Sequence, residues 1–402
     1  LTLFPDNGIS LSFDRNGFHP FFRSVFPLDP IFSSTAGRTL VALSGGVDSA
    51  LAARILAKEG RAVEGAYIRT WLDEEDLGEC PAREDIEDAR AVAGHLGIPF
   101  RIVNLVRDYR EKVVSYLVEG YRRGITPNPD VMCNREMKFG VFRALARDGG
   151  FDRIATGHYC RAEERDGHTR ILEGVDKGKD QSYFLAMTRA EDLAGVDFPV
   201  GRLRKSEVRR LAAEAGLPNA AKKDSQGICF LGKVRIDEFL ARYIPDRPGE
   251  IVDVEGTVRG RHQGLHRFTI GQRRGIGIPS NTDHEAFVVV AKDLGTNRLV
   301  VGFDRPETPL LYQRGARIGS LNWIGEPPTA GEILSAKPRY RDPSQEIRIV
   351  DAAENAVRVE FREPQRALAL GQILAFYRGE ELIGGGVYED VHHRRELPPG
   401  PH

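Results

Sequence analysis

One tight turn constrains this chain more than any other feature. The apolar run Thr39 to Leu43 ends in Ser44-Gly45-Gly46-Val47-Asp48-Ser49, and a helical pattern from Ala50 to Glu59 follows at once. Glycines let a backbone approach an anion closely, and successive N–H groups form a cradle for it. The helix start adds the positive end of its dipole. The hydroxyls of Ser44 and Ser49 suit phosphate oxygens, and Asp48 suits a magnesium ion. The lysine of the GxxxxGK[ST] loop is missing, so this is a different phosphate loop. The competing reading is a plain Gly-Gly turn with an Asp/Ser helix cap.

The flanking pattern favours the phosphate loop. Leu51 and Ile55, and Ala52 and Leu56, are spaced one helical turn apart, and Gly60 is a helix stop. Strands are expected at Val63–Ile68, Pro99–Leu105 and Arg153–Thr156, with an amphipathic helix at Asp85–Leu96 closed by Gly97. Strands alternating with helices predict a mostly parallel sheet covered on both faces. After about Phe230 the texture changes. One more helix is expected at Arg235–Tyr243, then short strands with turn residues between them. A hairpin signal sits at Glu255-Gly256. Strands at Ala286–Ala291, Arg298–Phe303, Gln345–Val350, Ala356–Phe361, Ile373–Tyr377 and Glu381–Tyr388 predict an all-β end, read as a small barrel.

Composition sets limits. The chain of 402 residues is long for one domain. With 41% hydrophobic and 29% charged residues it reads as globular, and no stretch has the roughly 18 apolar residues of a membrane span. A net charge of −1 neither demands nor excludes a nucleic acid, because local clustering decides. Basic clusters occur at Arg202–Arg210, Arg259–Arg274 and Lys337–Arg341; each alone reads more readily as a solvated face. Residues 1–37, rich in phenylalanine, lack a secretory pattern and are read as a poorly ordered extension or an artefact of the start site.

The four cysteines, Cys80, Cys133, Cys160 and Cys229, form no CxxC pair. So few in so long a chain argue for a reducing cytoplasm. Cys133 and Cys229 each follow turn residues in a polar, partly basic setting. Each is either a small buried hydrophobe or a reactive thiolate. Cys80 and Cys160 have no assignable role.

Two of these segments, Thr126-Pro127-Asn128-Pro129-Asp130-Val131-Met132-Cys133-Asn134-Arg135-Glu136-Met137-Lys138-Phe139 and Lys222-Lys223-Asp224-Ser225-Gln226-Gly227-Ile228-Cys229-Phe230, resemble the bacterial and mitochondrial tRNA-specific 2-thiouridylase family. The SGGxDS loop is similar to the pyrophosphate loop of the wider ATP-pyrophosphatase superfamily, which includes GMP, argininosuccinate and lysidine synthetases. The thiouridylase resemblance continues in order through Ala155–Tyr159, Lys179–Leu185, Phe198–Gly201, Thr269–Arg273, Lys337–Arg341 and Pro364–Gln372, and covers about Arg38 to Glu389.

The resemblance implies an α/β fold. An N-terminal parallel-sheet ATP-pyrophosphatase domain (adenine nucleotide α-hydrolase-like) would span 38–235, a small central β-rich domain 236–303, and a C-terminal β-barrel 304–392. It implies a sulfurtransferase. ATP adenylates the uracil 2-carbonyl of a tRNA wobble uridine, in tRNAs of Lys, Glu or Gln identity, and a cysteine persulfide then replaces the oxygen. Ala42, Leu43, Ser44, Gly45, Gly46, Val47, Asp48 and Ser49 would bind the ATP phosphates, with Mg2+ at Asp48. The main chain at Ile68 and Gly157 would hold adenine or ribose. Ile68 stands where some members carry methionine, which a main-chain contact tolerates. Asn128, Pro129 and Asp130 would touch the target uracil, Asp130 as proton shuttle. Cys229 would carry the persulfide, and Cys133 would release the sulfur, ending in a transient disulfide. His158, Lys179, Asp180, Gln181, Arg339, Tyr340 and Gln372 would contact tRNA. A sulfur-relay protein or a cysteine desulfurase would load Cys229, and no membrane is involved. Two other readings make different forecasts. Another ATP-pyrophosphatase would work without either cysteine, and a tRNA-binding protein with a decayed nucleotide site would bind RNA without ATP turnover.

Overall fold

The computed structural model describes residues 37–71, 82–223, 235–279 and 285–391. The expected extension over 1–37, apart from Gly37, lies outside the described residues, as do Cys80 and Cys229. Among the described residues no helix is long and apolar enough to cross a membrane.

The first half of the chain builds a sheet and its two helical covers. In order come β1 (Arg38–Ala42), α1 (Val47–Lys58), β2 (Ala62–Arg69), α2 (Ala82–Leu96), β3 (Phe100–Asn104), β4 (Arg153–Ala155), a hairpin of β5 (Cys160–Arg165) and β6 (His168–Glu173), and β7 (Val196–Asp197). The sheet order is β3-β2-β1-β4-β7, and every pairing is parallel. Side chains alternate faces along a strand. Leu40 of β1 therefore packs into one core cluster and its neighbour Val41 into the other. Burying each is worth roughly 2 kcal/mol, which is why β1 reads as an unbroken apolar run. Helices α1, α2 and Lys205–Glu214 cover the Val41 side. Two helical runs, 106–122 and 129–148, cover the Leu40 side. Neither run was assigned from sequence. Both contain π-helical turns, at Arg110–Val114 and Cys133–Val141, a feature that recurs at functional sites.

The expected change of texture is real. Helix Ile236–Leu240 leads into β8 (Gly249–Asp253), β9 (Val258–His262), β10 (Phe287–Asp293) and β11 (Arg298–Phe303), in the order β10-β11-β8-β9. The forecast hairpin turns at Gly256, whose φ of +86° favours glycine. Strands β12 (Tyr312–Trp323), β13 (Ile333–Lys337), β14 (Gln345–Ala353), β15 (Ala356–Arg366), β16 (Ile373–Arg378) and β17 (Glu381–Val391) form the last sheet. Their order is β12-β15-β14-β13-β16-β17, and β12 also pairs with β17, so the sheet closes on itself. Val357, Val359 and Phe361 point into this barrel while Arg358, Glu360 and Arg362 point out. Sequence reading missed β12, β13 and the β5–β6 hairpin.

That hairpin joins the two ends of the molecule. β6 lies antiparallel to β17, with Leu172 opposite Glu381 and Ile171 opposite Leu382. Ion pairs Arg170–Glu381 and Arg161–Glu380 run along the same seam.

Candidate active site

The turn after β1 has the form its residues dictate. Gly45 has φ +78°, and a Cβ there would lie 2.5 Å from the carbonyl oxygen of Asp85 in α2. Only glycine meets both conditions. The Ser44 amide donates to Ser49 Oγ (3.1 Å), and the two hydroxyls lie 3.2 Å apart. Ser49 Oγ donates to Gly46 O (3.0 Å), and Asn219 donates to Gly45 O (2.9 Å). Gly46, in extended conformation, is the residue before α1 and has no side-chain cap. The first amides of α1 thus keep their capacity for an anion. The plain helix-cap reading fits less well, because the Ser49 hydroxyl bonds within the turn rather than capping α1 from the N-cap position.

Asp48 is placed differently from the expectation. Its carboxylate accepts from Lys205 Nζ at 2.7 and 2.9 Å and from the Tyr159 hydroxyl at 2.7 Å. A carboxylate already neutralised by an ammonium is a poor ligand for a second cation. No group of three or more His, Cys, Asp or Glu side chains suited to a metal occurs among the described residues. The side chains here therefore do not fit a magnesium ion held by Asp48. Lys205 and Tyr159 were not singled out as site residues in the sequence. Lys205 supplies the positive charge that this loop lacks internally, from the first residue of helix Lys205–Glu214. The signal was its place in a basic cluster, which spacing alone could not aim.

The Asn128–Cys133 segment starts the run 129–148. Asn128 Oδ1 accepts from the Val131 amide (3.1 Å), and Pro129 occupies the first helical turn, where its missing N–H costs nothing. Asp130 is partly exposed, and its carbonyl accepts from Asn134 Nδ2 (2.9 Å). Cys133 is buried at 5% exposure. The segment is held from far along the chain. Gln372 Nε2 donates to Thr126 O (2.8 Å), and the Thr126 amide donates to Leu370 O (2.8 Å). Gln372, expected at the RNA, thus clamps the backbone just before Asn128.

Two consecutive residues connect the loop to the cysteine run. Gly157 lies against the start of α1, so a Cβ there would be 2.6 Å from the Ser49 nitrogen. His158 reaches Lys138 of the Cys133–Val141 run, with its Nε2 3.5 Å from Nζ, while its Nδ1 lies 2.7 Å from Thr156 Oγ1. The imidazole sits between Phe139 and Phe198, at ring distances of 5.8 and 6.0 Å. Burial, aided by the Lys138 charge, holds its pKa well below the usual value. His158 is a neutral, buried ring; it is not presented as an RNA contact.

The remaining site calls divide by burial. Ile68 is half-buried at the end of β2. Lys179 and Gln181 are partly exposed, and Gln181 Oε1 accepts from the Tyr159 amide (3.0 Å). Asp180 corrects the expectation of a tRNA contact. It is 6% exposed and accepts from the Gly174 amide (2.8 Å), Ser182 Oγ (2.8 Å) and Lys337 Nζ (2.7 Å). Lys337 also pairs with Glu173. Asp180 therefore joins the catalytic half to β13 of the barrel. Arg339 donates to Asp342 (2.8 Å), and Tyr340 packs on Phe184 with ring centroids 4.2 Å apart. Both stay half-exposed beside that junction. Cys160 is fully buried, and burial pushes its thiol pKa well above the ordinary value. That fits a cysteine buried for packing rather than for reaction.

Family models match three consecutive stretches: a "tRNA methyl transferase HUP domain" over 37–233, a "tRNA methyl transferase PRC-barrel domain" over 237–303, and an "aminomethyltransferase beta-barrel domain" over 313–388. The chain is 50% identical to a tRNA-specific 2-thiouridylase MnmA of Akkermansia muciniphila over 88% of this chain and 99% of that one. It is 43% identical to the protein of that name from Bacillus subtilis over 88% and 95% of the two chains. Among solved structures, a 4-thiouridine synthetase–RNA complex with bound ATP aligns at 20% identity over 51% of this chain and 50% of that one, with a TM-score of 0.33.

Proposed function

This chain belongs to the tRNA-specific 2-thiouridylase family, and from that premise we propose that it thiolates the 2-position of the wobble uridine of tRNA at the expense of ATP. The observation that carries this reading is the pair Gly157–His158. One residue abuts the phosphate loop, and the next reaches the run that Cys133 begins. This proximity supports a reading in which a nucleotide activated at the loop and sulfur chemistry at the cysteine act in one site.

The chemistry runs in two stages. The uracil 2-oxygen attacks the α-phosphorus of ATP, pyrophosphate leaves, and the N3 proton departs toward Asp130. A very poor leaving group has become AMP, so the difficult substitution is split into easier steps. The amides at the start of α1 stabilise charge on the phosphates. The terminal sulfur of a Cys229 persulfide then adds to ring carbon 2, and AMP leaves. The Cys133 thiolate attacks the inner sulfur of Cys229. The S–S bond breaks, its electron pair stays on the sulfur now attached to uracil, and a Cys133–Cys229 disulfide forms. An external dithiol reductant must regenerate both thiols. Magnesium, bound with ATP through its phosphates, would supply further charge neutralisation. A persulfide donor, either a relay protein or a cysteine desulfurase, reloads Cys229.

The test combines the protein with unmodified tRNA, ATP with magnesium, and a persulfide source, and reads thiolated uridine by mass spectrometry. Wild type should form product. Cys133→Ser and Cys229→Ser should form none while still binding ATP. Thiolation by either variant at the wild-type rate would refute the cysteine mechanism and favour a different ATP-pyrophosphatase activity.

A further inference from the structure

A triphosphate carries several negative charges, and the turn Ser44–Ser49 holds no basic side chain. The lysines that bond to the loop and its surroundings are matched by acids, Lys205 by Asp48 and Lys222 by Asp85 and Asp88. Lys138 differs from both. Its ammonium lies 3.5 Å from His158 Nε2, and among the described residues it forms no ion pair. It is partly exposed.

Two features aim Lys138 at the junction of loop and cysteine. The first is the run it belongs to. In an α-helix, with about 3.6 residues per turn, side chains five apart point roughly 140° from each other. Cys133–Val141 is π-helical, and its i to i+5 bonding brings Lys138 round toward the side that bears Cys133. The second is His158. It follows Gly157, which lies against Ser49 of α1, just beyond the C-terminal end of β4. Ligands of parallel sheets bind at that end of the strands. An ammonium only donates, so the Nε2 that faces it is the acceptor, and Nδ1 carries its proton toward Thr156 Oγ1 at 2.7 Å. Burial between Phe139 and Phe198 keeps the ring neutral and that lone pair available. A histidinium there would repel the ammonium.

The order of the two chemical stages says what belongs between loop and cysteine. The uracil bonded to the α-phosphorus must next meet sulfur beside Cys133. The α-phosphate therefore faces the run, while the outgoing pyrophosphate sits on the amides of α1. We propose that Lys138 is a catalytic residue of the adenylation step: its ammonium contacts the α-phosphate oxygens, and His158 is the positioning residue that aims it. The proposal rests on the function proposed above and adds the group that handles charge at the reacting phosphorus. In that step a bond forms between uracil O2 and the α-phosphorus. The bond to the bridging oxygen breaks, its electron pair leaves with pyrophosphate, and the N3 proton goes to Asp130. Lys138 gives up no proton. It offsets the negative charge that the attack concentrates on the α-phosphate oxygens.

The test separates adenylation from thiolation. Pyrophosphate release is followed in a single turnover with unmodified tRNA, ATP and magnesium, without a persulfide source. Lys138→Met should slow release on the order of a hundredfold, the cost of removing one preorganised donor. The loss should appear in the rate at saturating ATP and not in the affinity for ATP, which the α1 amides supply. Lys138→Arg keeps the charge and should recover part of the rate, which distinguishes lost charge from lost packing. His158→Leu should slow release about tenfold, the worth of one hydrogen bond to a charged group. His158→Gln, which keeps an acceptor, should lose far less. Release by Lys138→Met at the wild-type rate overturns the assignment; if thiolation alone is then lost, the ammonium acts at the Cys133 stage instead. Equal losses in Lys138→Met and Lys138→Arg, with a lower thermal midpoint in both, also overturn it and make Lys138 a packing residue. Wild type that binds tRNA and ATP yet releases no pyrophosphate would instead overturn the reading of the reaction itself.

Discussion

The phosphate loop and the Asn128–Cys133 segment do their work by opposite constructions. The loop is built from neighbours in sequence: Ser44, Gly46 and Ser49 bond one another, and the outer partners Lys205, Tyr159 and Asn219 come from elsewhere. The Asn128–Cys133 segment is held from far along the chain, by Gln372 246 positions from Thr126. Gln372 and Leu370 of the barrel bond Thr126, and Asp180 locks Lys337 across the same boundary. The C-terminal barrel is therefore part of the candidate site's framework. A local turn survives changes in distant packing, whereas a segment positioned by another domain inherits every fault in the docking.

The sharpest way to break this contrast is Gly157→Ala. Its Cβ would meet the Ser49 backbone, which cannot rotate away. Displacing the start of α1 should lower ATP-dependent activity on the order of a hundredfold, read as AMP formation with tRNA. Normal turnover would show that the two regions are not tied through Gly157–His158. Next comes Lys337→Met, which leaves the buried Asp180 without its cation, while Glu173 keeps Lys177. Breaking a buried pair costs about 3 kcal/mol or more, visible as a lower urea midpoint. An unchanged midpoint would mean the junction is not held there.

A smaller effect sharpens the comparison. Gln372→Ala removes the clamp on Thr126 and should cost about 1 kcal/mol of stability. Thiolation should fall while ATP affinity holds. Equal loss of both would show the loop to depend on the barrel too. The smallest effect concerns His158. Its folded pKa is depressed by burial, so the unfolded chain binds the proton first as pH falls below about 6.5. Stability should therefore drop by about 1 kcal/mol from pH 6.5 to 5.5. His158→Gln should remove that share of the acid sensitivity in denaturant titrations.

Legibility followed the range of the interactions. The parallel sheet, the strand-turn-helix and the change to β structure could be read because they depend on period and on glycine at fixed positions. Gly45 and Gly256 stand where positive φ requires them. Burial was harder. Asp180 and His158 look like exposed site residues in a motif, and both are interior groups. The helical runs 106–122 and 129–148 escaped notice because their π turns interrupt the regular helical period. Strand β13 is short, and β12 is broken by register shifts.

By itself the sequence determined the alternation of strands and helices giving way to β structure, the phosphate turn and the family, since each is written in short-range pattern and motif. Tertiary structure alone decided which charges face which. Lys205 meets Asp48 across 157 residues, Lys337 meets Asp180 across another 157, and Gln372 meets Thr126 across 246. Such pairings carry no periodic signal. They follow from strands and helices docking so that most buried polar groups find a partner, a condition that only the folded chain can satisfy.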